Sequence, residues 1–480
     1  MTRRSLVSFA AASALLAGLA LFAFAAVENA GAFPVTADTG LLPVGTELNE
    51  DALDQPTEIF HSDLVGGKHS YLVNLGDMAF SSPLIFGGLA RQSSISCNTC
   101  HQSGAGNPKL FVPGLSTHPG NFDTTSAIFQ PKADNGVLDP VTPPSLRGAR
   151  YLYPYGHDGR FASLRDFVRN VIVNEFAGPE PSPAILDGLV AYIQDIEFLP
   201  NKRIDSDGHL ALGAGDPEKR GEALFSKSFP NDPGMSCVSC HVPSAAFADH
   251  VQHDIGSGGY FKTPTLRGAN FNAPYFHDGR FTTYEQVINY FDHAFKIHYT
   301  PQDHADLIAY LTAIGDGDQP FTRDSAALEI DEATRFISVL AVAIPAHDQP
   351  IIQLTADTVG IELRELAEFF PERKDTSVKG GDVERTKARD AARGLVLSLR
   401  AVELAVRDGD FDEAEKRFAS FKADMAAAQP ILQAAEPWSL FNPDIRATHF
   451  AALRNLAAAA GVKLDDQAAD ETAAPSSMKQ

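Results

Sequence analysis

The 480-residue sequence has only four cysteines, five methionines and one tryptophan. Four cysteines in an exported chain would ordinarily give two disulfides, but their spacing points elsewhere. Positive charge is also scarce: 39 lysines and arginines face 61 aspartates and glutamates, for a formal charge of −22. That balance argues against nucleic acid or anionic lipid held on a basic surface, and favours a basic protein partner or plain solubility. No long apolar run follows residue 33, so no later segment reads as a membrane span. With 44% hydrophobic and 21% charged residues the chain is not generally disordered, and its length suits about three domains.

The one long apolar run lies at the N-terminus. Arg3 and Arg4 precede a stretch from Ser5 to Val27, and small residues permit cleavage after Ala25 or Ala32. Residues 1–33 therefore read as a signal peptide, or as a retained N-terminal membrane anchor because the run is longer than a usual h-region. Either reading predicts export to the periplasm. Residues 34–56 are rich in Pro, Gly, Thr and Asp and read as an exposed arm.

An internal repeat organises the chain beyond this arm. Thr142-Pro143-Pro144-Ser145-Leu146-Arg147-Gly148-Ala149 and Pro154-Tyr155-Gly156-His157-Asp158-Gly159-Arg160-Phe161 recur as Lys262-Thr263-Pro264-Thr265-Leu266-Arg267-Gly268-Ala269 and Pro274-Tyr275-Phe276-His277-Asp278-Gly279-Arg280-Phe281. The offset is 120 residues throughout. A helical apolar pattern follows each copy, with Leu164, Phe167, Val168 and Val171 in the first and Tyr284, Val287, Ile288 and Phe291 in the second. From about Ser325 to Ala460 the composition turns to Ala, Leu, Glu and Arg with helical spacing, punctuated near Pro345, Pro371, Gly380-Gly381, Gly409 and Pro430. This predicts a bundle of four or five helices.

Each repeat is preceded by Cys-x-x-Cys-His: Cys97, Cys100 and His101, then Cys237, Cys240 and His241. This is the spacing at which two thiols add to the vinyl groups of a haem while the next histidine ligates iron. A redox dithiol, a zinc site using both pairs, and two disulfides compete with that reading. A dithiol does not require the following histidine, and zinc would not require each pair to lead its own repeat. Two covalently bound c-type haems are therefore expected. Calcium is left open, without sequence support.

The order Leu75-Gly76-Asp77-Met78-Ala79-Phe80, Cys-x-x-Cys-His, Pro-x-Leu-Arg-Gly and His-Asp-Gly-Arg resembles the dihaem bacterial cytochrome c peroxidases, a family that includes the methylamine-utilisation maturation enzyme. The resemblance spans roughly residues 57–315 and does not reach the C-terminal helices. It implies peroxide reduction at an N-terminal haem ligated by His101, and electron entry from a small cytochrome or cupredoxin at a haem ligated by His241. It also implies that His118 is a displaceable sixth ligand and that Glu175 is the distal proton carrier. A solvent-exposed loop histidine and a surface glutamate are the plain alternatives. Glu175 follows Val171, Ile172 and Val173 and precedes Phe176, a setting that raises a carboxyl pKa toward the range suited to proton shuttling. Arg160 and Arg280 are candidate partners of haem propionates, while His157 and His277 read as parts of a polar turn.

The sequence departs from the family in three places. The family's inter-haem tryptophan would fall at His157, whereas the single tryptophan is Trp438; Tyr153, Tyr155 or His157 are the candidate substitutes. The second haem's usual methionine or tyrosine ligand would fall at Phe291, leaving Tyr290, His293 and His298 as neighbours able to bind iron. The first copy also carries an insert near Phe122 to Pro140 that can reshape substrate access.

The expected fold is mainly α: two tandem cytochrome c-type haem domains, residues 34–205 and 206–322, then a helical C-terminal domain at 323–464 and a disordered tail at 465–480. The activity implied is peroxidase. The alternatives are haem-dependent oxidation of a protein or organic substrate, and a dihaem electron carrier without catalysis; a homodimer is left open. Mass spectrometry of protein matured in a host with c-type haem assembly should show two haem additions that survive acid-acetone extraction. One addition or none would sink the dihaem expectation.

Overall fold

A computed structural model describes residues 41–49, 52–372, 375 and 377–459. The expected signal or anchor at 1–33 and the tail at 465–480 lie outside the described residues. The described chain is mainly helical, with four three-residue strands. Strand β1 (Asp54–Pro56) pairs antiparallel with β4 (Phe321–Arg323), and β2 (Gln252–Asp254) with β3 (Tyr260–Lys262).

Three helices build the first copy: α1 (Tyr71–Ser81), α2 (Leu164–Asn170) and α3 (Pro183–Asp195). Ser70, Ser163 and Ser182 cap them, each hydroxyl accepting a backbone N–H of the first turn. The second copy repeats the plan with α4 (Asp216–Phe225), α5 (Tyr284–Phe295) and α6 (Pro301–Ile314), the last two capped by Thr283 and Thr300. In each copy the first and last helices cross at a glycine. A Cβ on Gly76 would lie 2.0 Å from the Gly188 carbonyl oxygen, and one on Gly221 would lie 2.1 Å from that of Asp306. Tyr192 and Tyr310 pack against the two crossings, and both are buried.

The long helices that follow are α7 (Ala326–Ile337), α8 (Gln349–Glu368), α9 (Asp382–Arg407), α10 (Phe411–Ala435) and α11 (Pro443–Ala459). Breaks fall at Pro345, Pro371, Gly381 and Gly409 as the composition suggests. Pro430 is different, because it sits inside α10. Its missing N–H removes one helix bond, but Met425, Ala428, Leu432 and Ala435 are buried on both sides of it, and this packing carries the helix through.

Buried residues of the first copy and of the C-terminal helices form one core, which includes Leu75, Phe80, Tyr192, Phe336, Ile352 and Val359. The second copy has a smaller core of its own around Phe225, Phe247, Ile288 and Tyr310. A polar cluster also joins α1 to α7. Arg335 reaches Asp77 at 3.2 Å and Glu58 at 3.5 Å, and the Tyr192 hydroxyl donates to Glu58 at 2.6 Å.

Burial raises Glu332 in this cluster to about 7; Arg335 opposes the rise, while Glu58 and Asp324 add to it. Glu332 is protonated in both folded and unfolded chains below about pH 4.3 and so has no effect on stability there. Its penalty builds as pH rises from about 4.3, where the unfolded chain ionises it, to about 7, where the folded chain does, and is constant above that. Glu332→Gln should therefore stabilise the protein at pH 8 by on the order of 1 kcal/mol and leave it unchanged near pH 4.5. Thermal unfolding at both pH values checks the expectation, and an equal shift at both would refute it.

Candidate haem and peroxide site

Each Cys-x-x-Cys forms a single helical turn, Cys97–Cys100 and Cys237–Cys240. Ser96 donates its N–H to the Thr99 hydroxyl at 3.0 Å, and Ser236 likewise to Ser239 at 2.9 Å. The turn brings both thiols of a pair to one side and delivers the next histidine at its end. His101 places Nδ1 at 2.9 Å from the Pro144 carbonyl, and His241 places Nδ1 at 3.2 Å from that of Phe247. A carbonyl on Nδ1 fixes the tautomer that leaves Nε2 for a metal. Burial lowers His101 to about 4, against the opposing bond from Pro144, and it lowers His241 as well. Both are therefore neutral, the form that ligates iron.

None of the four cysteines is in a disulfide. Burial pushes Cys97 and Cys237 up to about 12. Reactive redox dithiols need the opposite shift, so this setting suits thiols consumed in neutral thioethers. Nor do the two pairs converge on one metal: among the described residues the ligand-type groups within reach of one another are Cys240, Asp249 and His253.

Both motifs open into one cavity of about 700 Å³. Its lining includes Cys97, His101, Cys237, Cys240 and His241, with Tyr153, Tyr155, His157 and His277 between them. The copies meet across it by reciprocal backbone bonds. Thr142 N–H donates to the His277 carbonyl at 2.8 Å, and Lys262 N–H, at the equivalent position, donates to the His157 carbonyl at 2.9 Å. The side chains of Asn121 and Gln252 donate to the carbonyls of Asp278 and Asp158. The His-Asp-Gly-Arg turns thus join the two copies about a pseudo-two-fold. His157 donates Nε2–H to the Thr142 carbonyl, 2.7 Å away, and burial lowers it to about 4. His277 stacks on Phe261 with ring centroids 3.6 Å apart.

Glu175 ends a π-helical turn, Val171–Glu175, that continues α2. It is 8% exposed. Asn170 donates to its carboxylate at 3.0 Å and Arg160 at 3.3 Å. Burial raises its pKa, while Thr124, Arg160 and Asn170 hold the rise in check. Val168, Val171 and Ile172 of the same segment line the cavity, and Glu175 stands just beyond them. Nothing in the sequence marks the π-helical turn that sets this position.

Three candidate residues have surroundings that their motifs did not suggest. His118 does not line the cavity: its Nδ1 lies 2.9 Å from the Pro119 carbonyl, its Nε2 lies 3.1 Å from the Asn121 amide, and its ring packs against Gly279. Arg160 is bound to Asp158 and Glu175, and Arg280 to Asp278 and the Ser257 carbonyl. The nearest partners of both arginines are thus carboxylates of the chain itself.

At the second motif Phe291 lines the cavity, as do Phe295, Met235 and Tyr299. Tyr290 instead donates its hydroxyl to the Ile255 carbonyl at 2.9 Å, and His293 and His298 are exposed; none of these three is in the lining. Sequence adjacency to Phe291 did not reveal this, because neighbours on a helix point about 100° apart.

The duplicated Cys-x-x-Cys-His unit thus surrounds one shared apolar cavity, an arrangement that suits two c-type haems. The family model described as di-haem cytochrome c peroxidase matches residues 218–337. It is 26% identical over 307 residues to hydrazine synthase subunit gamma of Kuenenia stuttgartiensis, covering 51% of this chain and 78% of that one. It is 26% identical over 331 residues to methylamine utilization protein MauG of Methylorubrum extorquens, covering 56% and 84%. A solved structure of a MauG-like protein associated with microbial copper homeostasis aligns with a TM-score of 0.39 at 18% identity, covering 54% of this chain and 92% of that one.

Replacing Tyr290, His293 and His298 one at a time should leave the spin state of both haems unchanged, because none of the three faces the cavity. Optical spectra of the oxidised variants check this, and conversion of either haem to high spin in any variant would contradict the observed placement.

Proposed function

We propose that the protein is a periplasmic dihaem peroxidase that reduces hydrogen peroxide to two waters, consuming two electrons and two protons. The electrons come from a small, basic cytochrome or cupredoxin. The observation that carries this reading is the single apolar cavity shared by His101 and His241, since an electron entering at one motif needs a short path to the other. Cys97, Cys100 and His101 would hold one haem, and Cys237, Cys240 and His241 the other. The bound haems supply the redox change at iron.

The two halves are unequal. Helix α2 with its π-helical turn and helix α5 start and end 120 residues apart, so Glu175 corresponds to Phe295. Only the first copy therefore offers a proton-handling carboxyl at this position, which assigns peroxide chemistry to the His101 side and electron entry to the His241 side. Glu175 takes the proton from the near peroxide oxygen and returns it to the departing one. Its raised pKa suits that exchange, and Asn170 and Arg160 hold it in place. His157 and the neighbouring tyrosines occupy the space between the motifs. His118, outside the cavity, would have to leave Asn121 to reach an iron.

Oxidation of a protein or organic substrate is the second reading. Tyr153 favours it, being 53% exposed while lining the same cavity and stacking on His250.

Glu175→Gln preserves size and polarity but removes the proton acceptor. Peroxide turnover should fall by about 10²-fold or more, with both haems retained. Unchanged turnover would remove Glu175 from the mechanism, and absence of turnover in the unaltered protein despite reducible haems would favour the second reading or a carrier.

A further inference from the structure

Thr142 and Lys262 break the pseudo-two-fold between the copies in the cavity wall. Thr142 and Lys262 are equivalent, and each gives its backbone N–H to the histidine turn of the other copy. Their side chains differ in charge. Thr142 turns its hydroxyl onto the Phe276 and His277 carbonyls at 2.9 and 3.0 Å. Lys262 instead sends its ammonium into the first copy, donating at 2.7 Å to each of the Leu152 and Pro154 carbonyls, and it stands 5.8 Å from the Tyr155 ring centroid.

Two carbonyls use two of the three donors of an ammonium. No carboxylate of the described residues supports the charge: burial alone acts on Lys262 and lowers it to about 8. His157 and His277, on either side of the boundary, are lowered by burial too, so they do not compete for a counter-ion. A partly buried cation without an anion is costly unless one arrives with a bound group. The cavity that Lys262 lines is also the one that receives both motifs' prosthetic groups in the dihaem reading, and each haem carries two propionates.

We propose that Lys262 is a carboxylate-binding residue, its third N–H donor taking a haem propionate at the boundary between the two copies. The bond is charge-assisted. The positive charge favours the reduced iron of the haem it serves and so raises that haem's potential. This inference rests on the dihaem reading but not on peroxidase activity. If Lys262 were only a clamp on the Leu152–Pro154 turn, its loss would change stability and leave the potentials alone.

The test is a spectroelectrochemical titration of the full haem-loaded protein beside Lys262→Met, Lys262→Gln and Lys262→Arg, with the exposed Lys202→Met as a control. Loss of charge in the Met and Gln variants should lower the midpoint potential of at least one haem, so that its oxidised-to-reduced ratio at fixed potential rises about tenfold. Lys262→Arg should stay near the parent and Lys202→Met should be silent. Potentials unchanged in Lys262→Met, or in Lys262→Gln where the Met variant does not assemble, overturn the proposal. Equal shifts in the neutral and arginine variants overturn it too, because they indicate geometry rather than charge. A parent protein with no haem would instead defeat the dihaem reading.

Discussion

The site depends on the pair of backbone bonds that tie each histidine turn to the other copy. Thr142 to His277 and Lys262 to His157 are amide-to-carbonyl contacts of ordinary length, 2.8 and 2.9 Å. Their importance comes from where they lie. They close the boundary between the copies at the cavity wall, where an unpaired backbone group would find little water to replace its partner. Separating the copies would leave four polar groups without partners and would open the space that His101 and His241 share. The single cavity therefore exists because the copies are joined through their turns.

The repeat and the Cys-x-x-Cys-His spacing were legible because the chemistry needs particular residues at particular intervals. The boundary was not, because backbone bonds leave no trace in side-chain identity. Thr142 and Lys262 are aligned by the repeat, but their unrelated side chains do not show that both perform the same backbone task. His118 was identifiable only as a histidine on a loop; its position against Gly279 depends on how the two copies meet. The alternation of apolar residues in the C-terminal segment located the breaks at Pro345 and Pro371. It could not show that α1 and α7 would enclose the Asp77 and Arg335 pair, since amphipathic faces do not name their partners.

Pro430 and the π-helical turn at Val171–Glu175 show tertiary packing overriding local signals in opposite ways. At Pro430 a helix continues where the local signal says stop, because buried residues flank the defect. At Val171 the helix widens, with no proline or glycine to announce it. The consequence there is functional. Ile172 remains buried in the core while Glu175 turns toward Asn170 and Arg160, so one short segment presents an apolar wall to the cavity and a carboxyl just past its end.

Burial makes the cavity's own titratable groups neutral almost throughout. His101, His157, His241 and His277 are lowered, and Cys97, Cys237, Tyr155 and Tyr275 are raised. In such an interior an electron passing between two bound haems would meet few charges that must reorganise, whereas a proton would have few places to stop. Two ionisable groups that differ between the copies are therefore informative. Glu175 lies beyond the wall of the first copy and has Phe295 as its counterpart; Lys262 lies in the wall of the second and has Thr142 as its counterpart. Each is a place where one half carries an ionisable side chain and the other does not. A symmetric dihaem carrier would need neither difference. In the proposed peroxidase, a carboxyl on one side and an ammonium at the boundary would give the two halves separate tasks, proton exchange beside His101 and charge balance between the copies.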